Sequence, residues 1–155
     1  MKITILAVGR LRKGPELVMI KDYLERASKT GRALGLGTVE IIEVEDKRGL
    51  GMAEEAKLLE RAIPSGAALV TMDERGAIIS SPELAEKLGN WRDTARDVCF
   101  VIGGADGIDP SLRNRADFAI SLGKMVWPHM LVRVMLAEQI YRAGQILAGT
   151  PYHRE

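Results

Sequence analysis

The sequence has little cysteine, no long hydrophobic run and no excess of charge of one sign. One cysteine stands among 155 residues, so the chain can form no internal disulfide. Cys99 lies in the apolar run VCFVI, where a small buried side chain is the expected interpretation rather than a reactive thiol. No stretch reaches the ~18 uncharged apolar residues of a membrane span, and the N-terminus lacks a secretory signal pattern. We therefore expect a cytoplasmic protein with no membrane partner.

The overall charge balance gives no sign of strong non-specific nucleic-acid binding, although the distribution of charge can still matter. Lysine and arginine number 22 against 21 acidic residues, for a net charge of +1. The basic residues are nevertheless clustered, near the start (Arg10, Arg12, Lys13) and near the end (Arg133, Arg142, Arg154). Each cluster is either a solvated face or part of a binding surface, and the sequence by itself leaves both open.

The usual motifs of metal sites and nucleophilic catalysis are also missing. The two histidines, His129 and His153, lie in the last fifth of the chain without a neighbouring cysteine, histidine or carboxylate at ligand spacing. No Ser-His-Asp or Cys-His arrangement is recognisable. We expect no metal site, and a lone histidine at a helix start, such as His129, is more often structural than catalytic.

Length and patterning predict one α/β domain over residues 1–155, with a mostly parallel sheet. Strand-like runs cover residues 2–8, 38–44, 68–72, 97–102 and, more briefly, 118–122. Helical spacing covers residues 15–29, 52–63, 82–94 and 129–147. We expect Ser81 to be the N-cap of the third helix, with Pro82 at its first position. Pro128 is well placed to start the last helix.

The last predicted helix is apolar over more than one face, which is broader than the stripe of a surface helix. Glu138 and Arg142 stand four residues apart in the favourable order for an ion pair. A helix too apolar for one interface suggests two, one with the sheet and one with a second subunit.

Two loops are expected to meet at the carboxyl edge of the sheet, where open α/β sheets bind ligands. One is the glycine loop IGGADGI, which fits neither the dinucleotide-binding nor the Walker pattern. The other is LGKMVWPHM, residues 122–130. Backbone groups, Met125 and Trp127 would suit a neutral aromatic ligand such as adenine. The alternative is that the glycines merely turn the chain.

These segments together resemble the bacterial ribosomal RNA large subunit methyltransferase H family. The resemblance is carried by IGGADGI, by SLGKMVWPHMLVRVMLAEQIYRA and by the final PYHRE, and MKITILAVGR, VEDKRG and VTMDERG extend it over the whole chain. It implies a SPOUT-type parallel sheet with helices on both faces and a C-terminal trefoil knot. It also implies a homodimer that uses S-adenosyl-L-methionine to methylate N3 of pseudouridine 1915 in helix 69 of 23S rRNA, on assembled 70S ribosomes.

The resemblance also implies site residues. The residues that match the family's cofactor contacts are Met72, Gly104, Gly123, Lys124, Met125, Val126, Trp127 and Pro128. Two positions depart from the family pattern, since Ala105 replaces the usual proline and Asp106 stands where relatives often carry glutamate. Because backbone groups do most of the holding, we expect cofactor binding to survive; a loop without that proline could be looser, which would affect cofactor affinity rather than activity.

The final residues PYHRE are predicted to be catalytic. An imidazole ordinarily titrates near ~6.5, which suits a base at neutral pH, so the side chain of His153 is a candidate to accept the N3 proton. Arg154 could stabilise the negative charge that develops on the target ring. Tyr152 could stack on the target nucleobase or form a hydrogen bond to it. We expect the tail to be loosely held until RNA arrives and then to close over a cofactor pocket, its own or that of the other subunit.

Arg133, Arg142 and Arg10 are the predicted RNA contacts, with Glu138 orienting Arg142. Two alternatives remain open. One is a non-catalytic ribosome-binding or assembly factor that keeps the pocket as a scaffold, and the other is a methyltransferase of the same fold that acts on transfer RNA.

Overall fold

Five parallel strands form one sheet in the computed structural model, which describes residues 1–155. The strands are β1 (Ile3–Val8), β2 (Val39–Val44), β3 (Ala68–Ile78), β4 (Val98–Ile102) and β5 (Phe118–Ser121). Their order in the sheet is β2-β1-β4-β3-β5, with every pair parallel. All five predicted strands are present, which confirms the predicted parallel α/β architecture.

Helices cover both faces of this sheet. They are α1 (Pro15–Leu34), α2 (Met52–Ala62), α3 (Ser81–Asp93), α4 (Pro110–Arg115) and α5 (His129–Leu147). Helices α1, α3 and α5 pack on the face that includes Ile5 and Phe100, while α2 and α4 pack on the face that includes Leu6 and Val101. Successive strand residues point to opposite faces, so each central strand contributes to both cores. None of the helices has the length and apolarity needed to cross a bilayer.

The structure corrects the predicted start of α3. The N-cap is Ser80, not Ser81, and its side chain accepts a hydrogen bond from the Glu83 amide at 3.2 Å. The Ser80 amide in turn donates to the Glu83 carboxylate, which completes a capping box and leaves Pro82 at the second helical position. The short helix α4 was not predicted, because six residues show too little periodicity.

Strand β3 extends further than predicted and meets β5 twice. Met72 pairs with Ile120, and after a register shift Ala77 pairs with the same residue. Gly76 lies in the shift, where a Cβ atom would stand 2.6 Å from the Ala119 carbonyl carbon and 2.7 Å from the Ile120 nitrogen. Glycine is therefore required where the two backbones approach closely. The trefoil knot implied by the resemblance stays a prediction.

The buried guanidinium of Arg133 attaches α5 to the sheet. The side chain is 1% exposed and donates to the Val8 and Gly9 carbonyl oxygens at 2.6 and 2.9 Å. It also pairs with the Glu43 carboxylate at 2.8 Å. Burial lowers the pKa of Arg133, and Glu43 opposes that shift. The predicted role of Arg133 in holding RNA phosphates is wrong, because its guanidinium is buried and bonded to three internal acceptors.

We expect Gly76→Ala to lower the free energy of unfolding by at least ~2 kcal/mol, because the added methyl meets backbone atoms that cannot rotate away. Gly144→Ala is the matched control, since a Cβ there would be 3.8 Å from its nearest neighbour and alanine favours the helix. Urea titration compares the two variants. Equal stabilities for both would contradict the close approach at Gly76.

We expect Arg133→Met to lower the free energy of unfolding by about 3–5 kcal/mol, because Glu43 and two carbonyl groups lose their charged donor. The control is Arg12→Met, at an exposed arginine, which should change stability by less than ~0.5 kcal/mol. Denaturant titration measures the free energy of unfolding of both variants. If Arg133→Met changed it as little as Arg12→Met, the bonds of Arg133 would not be what holds α5 to the sheet.

Candidate active site

A cleft of about 800 Å³ opens at the carboxyl ends of β4 and β5 and beside the middle of β3, where the pairing with β5 shifts register after Met72. Because these three strands are neighbours in a parallel sheet, the loops that follow β4 and β5 meet at one edge, on either side of β3. The start of α5 contributes His129 and Val132 to the wall. The volume is within the range of small-molecule and cofactor sites, ~300–1,000 Å³.

Seven of the eight predicted cofactor residues line this cleft. They are Met72, Gly104, Gly123, Met125, Val126, Trp127 and Pro128. Lys124 lies in the same loop and is exposed, but it is not part of the cleft lining. The structure thus brings together two loops whose residues are far apart in sequence, as the parallel topology predicts.

The first loop closes on itself through glycine. The Gly107 amide donates to the Gly104 carbonyl oxygen at 3.0 Å, and a Cβ atom at Gly103 would stand 2.5 Å from the Gly107 carbonyl oxygen. Gly107 has a φ of 85°, in the region that favours glycine. Ala105 and Asp106 form the exposed tip. The expected effect of these two residues on cofactor affinity stays a prediction.

The second loop is shaped by its own hydrogen bonds but leaves apolar side chains exposed. The Ser121 hydroxyl accepts from the Gly123 amide at 3.2 Å and donates to the Gly123 carbonyl oxygen at 2.9 Å. The Trp127 indole donates to the Leu122 carbonyl oxygen at 3.3 Å. Met125 and Val126 are 73% and 74% exposed, so this loop offers unpaired apolar surface.

Charged residues that sequence analysis did not single out also line the cleft. The Asp73 side chain is 7% exposed, and its Oδ1 accepts from the Arg75 amide at 3.0 Å. Arg113 lies 3.7 Å from Asp73 Oδ2. The usable signal was that Asp73 and Arg75 follow the strand predicted over residues 68–72, whereas Arg113 belongs to the unpredicted α4. These opposite charges suit a ligand that itself carries both signs.

His129 is held neutral at the edge of the cleft. Burial lowers the pKa of His129, and the charge of Arg133 lowers it further. Its Nδ1 atom is buried without a hydrogen-bond partner in the chain. No group of three or more histidine, cysteine, aspartate or glutamate side chains is placed to bind a metal ion. His129 therefore lines the cleft as an uncharged side chain.

The C-terminal tail packs on α5, so the expectation of a loosely held tail is wrong for this structure. The Tyr152 hydroxyl donates to the Glu138 carboxylate at 3.0 Å, and its ring meets the Tyr141 ring edge-on at 4.8 Å. Burial, followed by Glu138, raises the pKa of Tyr152 to about 12. If the Tyr152 hydroxyl is to donate to a nucleobase, its hydrogen bond to Glu138 has to break, whereas stacking of the ring would not need the hydroxyl; the predicted contact stays a prediction.

The other tail residues lie beside Arg142. Its Nε and Nη2 donate to Glu138 at 3.0 and 2.6 Å, as the four-residue spacing predicted, and its Nη1 lies 3.2 Å from His153 Nδ1. His153 Nε2 is buried without a partner, while Arg154 is exposed. The three predicted catalytic residues are therefore adjacent to one another.

The tail and the cleft of one chain lie at opposite ends of α5. The cleft includes His129, the first residue of the helix, and the tail contacts Arg142, thirteen residues later. At ~1.5 Å per residue this separation is about 20 Å. The structure therefore does not bring His153 to the cleft of its own chain.

The predicted RNA contacts have three different environments. Arg10 is exposed and forms no ion pair within the chain. Arg142 is occupied by Glu138 and His153, and Arg133 is buried. Of the three, Arg10 is the one whose charge is available at the surface.

Comparison with known proteins agrees with this geometry. Residues 1–153 match the family model described as "Predicted SPOUT methyltransferase". The chain is 70% identical to ribosomal RNA large subunit methyltransferase H of Paracoccus denitrificans, over 100% of both chains. It is 65% identical to the protein of the same name from Ruegeria pomeroyi, over 99% of each.

A solved structure with little sequence similarity shares the fold. It is a probable methylase family protein from Haemophilus influenzae, which is 13% identical and matches with a TM-score of 0.50 over 99% of this chain and 70% of that one. At this identity the likeness concerns the fold alone. The family model and the full-length relatives show that the chain belongs to the SPOUT methyltransferases, in the ribosomal RNA large subunit methyltransferase H family.

Proposed function

We propose that this protein, as a single-domain cytoplasmic enzyme, transfers a methyl group from S-adenosyl-L-methionine to N3 of pseudouridine 1915 in helix 69 of 23S rRNA, within the assembled 70S ribosome. The observation that carries the proposal is that seven of the eight residues expected from the family to contact the cofactor line one cleft. Family membership supports the reaction class, and the resemblance supports the nucleotide.

The cleft suits the proposed cofactor in size and chemistry. Its apolar walls, including Met72 and Trp127, can cover an adenine ring, and the loops at Gly104 and Gly123 bring backbone groups close to a ligand. The opposite charges of Asp73 and Arg113 suit the amino-acid end. When bound, the cofactor supplies an electrophilic methyl group, and the role of these residues is to fix its orientation.

Methylation at N3 makes two demands on the protein. The N3 proton has to leave, and the ring anion that remains has to be held in line with the methyl group. The tail offers an imidazole at His153 and a guanidinium at Arg154, both able to interact with such a ring. We place Tyr152 in the same site as the residue that anchors the tail through Glu138.

A homodimer would bring the two halves of the site together. The tail lies about 20 Å along α5 from the cleft of its own chain, so it can serve a cleft if that cleft belongs to a partner. Exposed apolar side chains surround the start of α5 and support such an interface. They are Met125, Val126, Trp127, Met130 and Leu131.

The near-neutral net charge of +1 supports an assembled substrate over naked RNA. Affinity for bare RNA comes mainly from neutralised phosphates, and the basic residues of this chain are balanced by almost as many acidic ones. Arg10, with Arg12 and Lys13, forms an exposed basic loop after β1, at the same edge of the sheet as the cleft. We propose that this loop contacts rRNA while the shape of the ribosome supplies the rest of the recognition.

Wild-type protein should transfer labelled methyl from S-adenosyl-L-methionine to 70S ribosomes from a strain that lacks the gene. Much less transfer is expected to naked 23S rRNA, and none to transfer RNA. Mass spectrometry of nuclease fragments should locate the label at N3 of the helix 69 pseudouridine.

Label on transfer RNA alone would overturn the substrate and retain the reaction class. Cofactor binding without label on any RNA would favour the assembly-factor alternative. Calorimetry measures binding of S-adenosyl-L-methionine separately, so that a protein that binds the cofactor without transferring methyl can be told from one that does not bind it.

Mixed dimers should test whether the tail acts on the partner's cleft. His153→Ala should lower turnover by ~10²–10⁴-fold with cofactor binding retained. Gly123→Val should disable the cleft, because position 123 has a φ of 118° that valine avoids, although there is open space around its Cβ. A doubly tagged heterodimer of the two variants should recover about half of wild-type turnover, because one complete site is reassembled. A heterodimer as inactive as both parents would place tail and cleft in the same chain.

A further inference from the structure

We propose that Arg142 holds His153 in the neutral form that carries its proton on Nε2, so that His153 acts on the target ring as a hydrogen-bond donor and not as the base. This inference rests on the methyl transfer proposed above, and it changes the role that the sequence suggested for His153. Arg142 thereby becomes a positioning residue instead of a phosphate contact.

The argument begins with the contact between the two side chains. Arg142 Nη1 and His153 Nδ1 are 3.2 Å apart. A guanidinium has N–H donors and no acceptor, so the hydrogen bond requires a lone pair on Nδ1. The neutral imidazole then carries its proton on Nε2. In the imidazolium form both ring nitrogens are donors, and Nδ1 would face Arg142 with a like charge.

The orientation of Arg142 is itself fixed. Its Nε and Nη2 donate to the Glu138 carboxylate at 3.0 and 2.6 Å, which leaves Nη1 directed at the imidazole. Glu138 raises the pKa of Arg142, so the guanidinium is charged throughout the working pH range. Tyr152 donates to the same carboxylate at 3.0 Å, and its ring lies 4.9 Å from the Arg142 guanidinium carbon. One carboxylate therefore organises the tail tyrosine and the arginine that faces His153.

The other ring nitrogen has no partner within the chain. His153 Nε2 is buried and forms no hydrogen bond. A covered N–H without an acceptor is unfavourable, so a movement of the tail that uncovers Nε2 on the ribosome, with the Nδ1 contact kept, would let this atom gain one. A uracil-type ring that has lost its N3 proton carries its negative charge on the two carbonyl oxygens that flank N3. A neutral N–H donor beside the Arg154 guanidinium is suited to stabilise that charge.

The reaction balances without a protein base. The N3–H bond breaks and the proton passes to water or hydroxide. The nitrogen lone pair then forms the bond to the methyl carbon, while the carbon–sulfur bond breaks and leaves a neutral thioether. If His153 were the base, Nε2 would have to be unprotonated, and the proton on Nδ1 would point at the N–H of Arg142.

The test compares His153→Gln with His153→Ala, using full-length dimer and 70S ribosomes. Glutamine places an amide N–H donor near the position of Nε2 but cannot accept a proton at neutral pH. We expect His153→Gln to retain turnover within ~10-fold of wild type, while His153→Ala loses ~100-fold or more. Cofactor affinity should be equal in all three proteins. A glutamine variant as inactive as the alanine variant, with cofactor and ribosome binding intact, would overturn the donor role.

The pH profile gives a second readout that a structural role would not change. With a donor, kcat should keep rising with pH well above the ordinary histidine pKa of ~6.5, because the proton leaves to solvent. A base would give a plateau above that pH, and this result would overturn the inference. Arg142→Lys keeps a donor for Nδ1 and should retain more turnover than Arg142→Met. A wild-type enzyme that methylates no RNA would instead refute the proposed function itself.

Discussion

The buried bond network of Arg133 is the interaction on which both halves of the site depend. A guanidinium with five N–H donors can bond two carbonyl groups after β1 and the carboxylate of Glu43 on β2 at the same time. These acceptors lie at the carboxyl edge of the sheet, so the first turn of α5 is fixed at that edge. The loop that precedes the helix then borders the cleft, and the direction of the helix determines where the tail is placed.

Glycine has a comparable importance for the loops, because the site is built largely from closely spaced backbone. Gly76 allows the backbones of β3 and β5 to approach closely, and Gly103 allows its loop to fold back on Gly107. In both places a Cβ atom would stand less than 3.0 Å from a backbone atom, which cannot rotate away as a side chain can. The shape of such a cleft is set by the path of the backbone. The side chains of Ala105 and Asp106 are exposed at the tip of the loop and take no part in these close approaches.

Sequence reasoning was accurate where local periodicity decides the structure. All five strands, four of the five helices and the meeting of the two loops follow from alternation, helix signals and parallel topology. It failed where contacts distant in sequence decide. The burial of Arg133 depends on Glu43, which lies ninety positions away in the sequence. Without knowledge of that partner, an arginine in a helix is expected at the exposed surface. The capping box at Ser80 was readable, since Glu83 stands three residues later.

The C-terminal tail shows a further limit, because its order comes from a few polar contacts and not from an apolar pattern. Glu138 accepts from both Tyr152 and Arg142, and Arg142 in turn reaches His153. These bonds restrict the tail to the far end of α5, away from the cleft at the near end. Since a helix is too stiff to fold its ends together, the distance between cleft and tail is a fixed property of one chain. In a symmetric dimer this distance no longer keeps tail and cleft apart, because an isologous interface can place the tail of each chain at the cleft of the other without bending either helix.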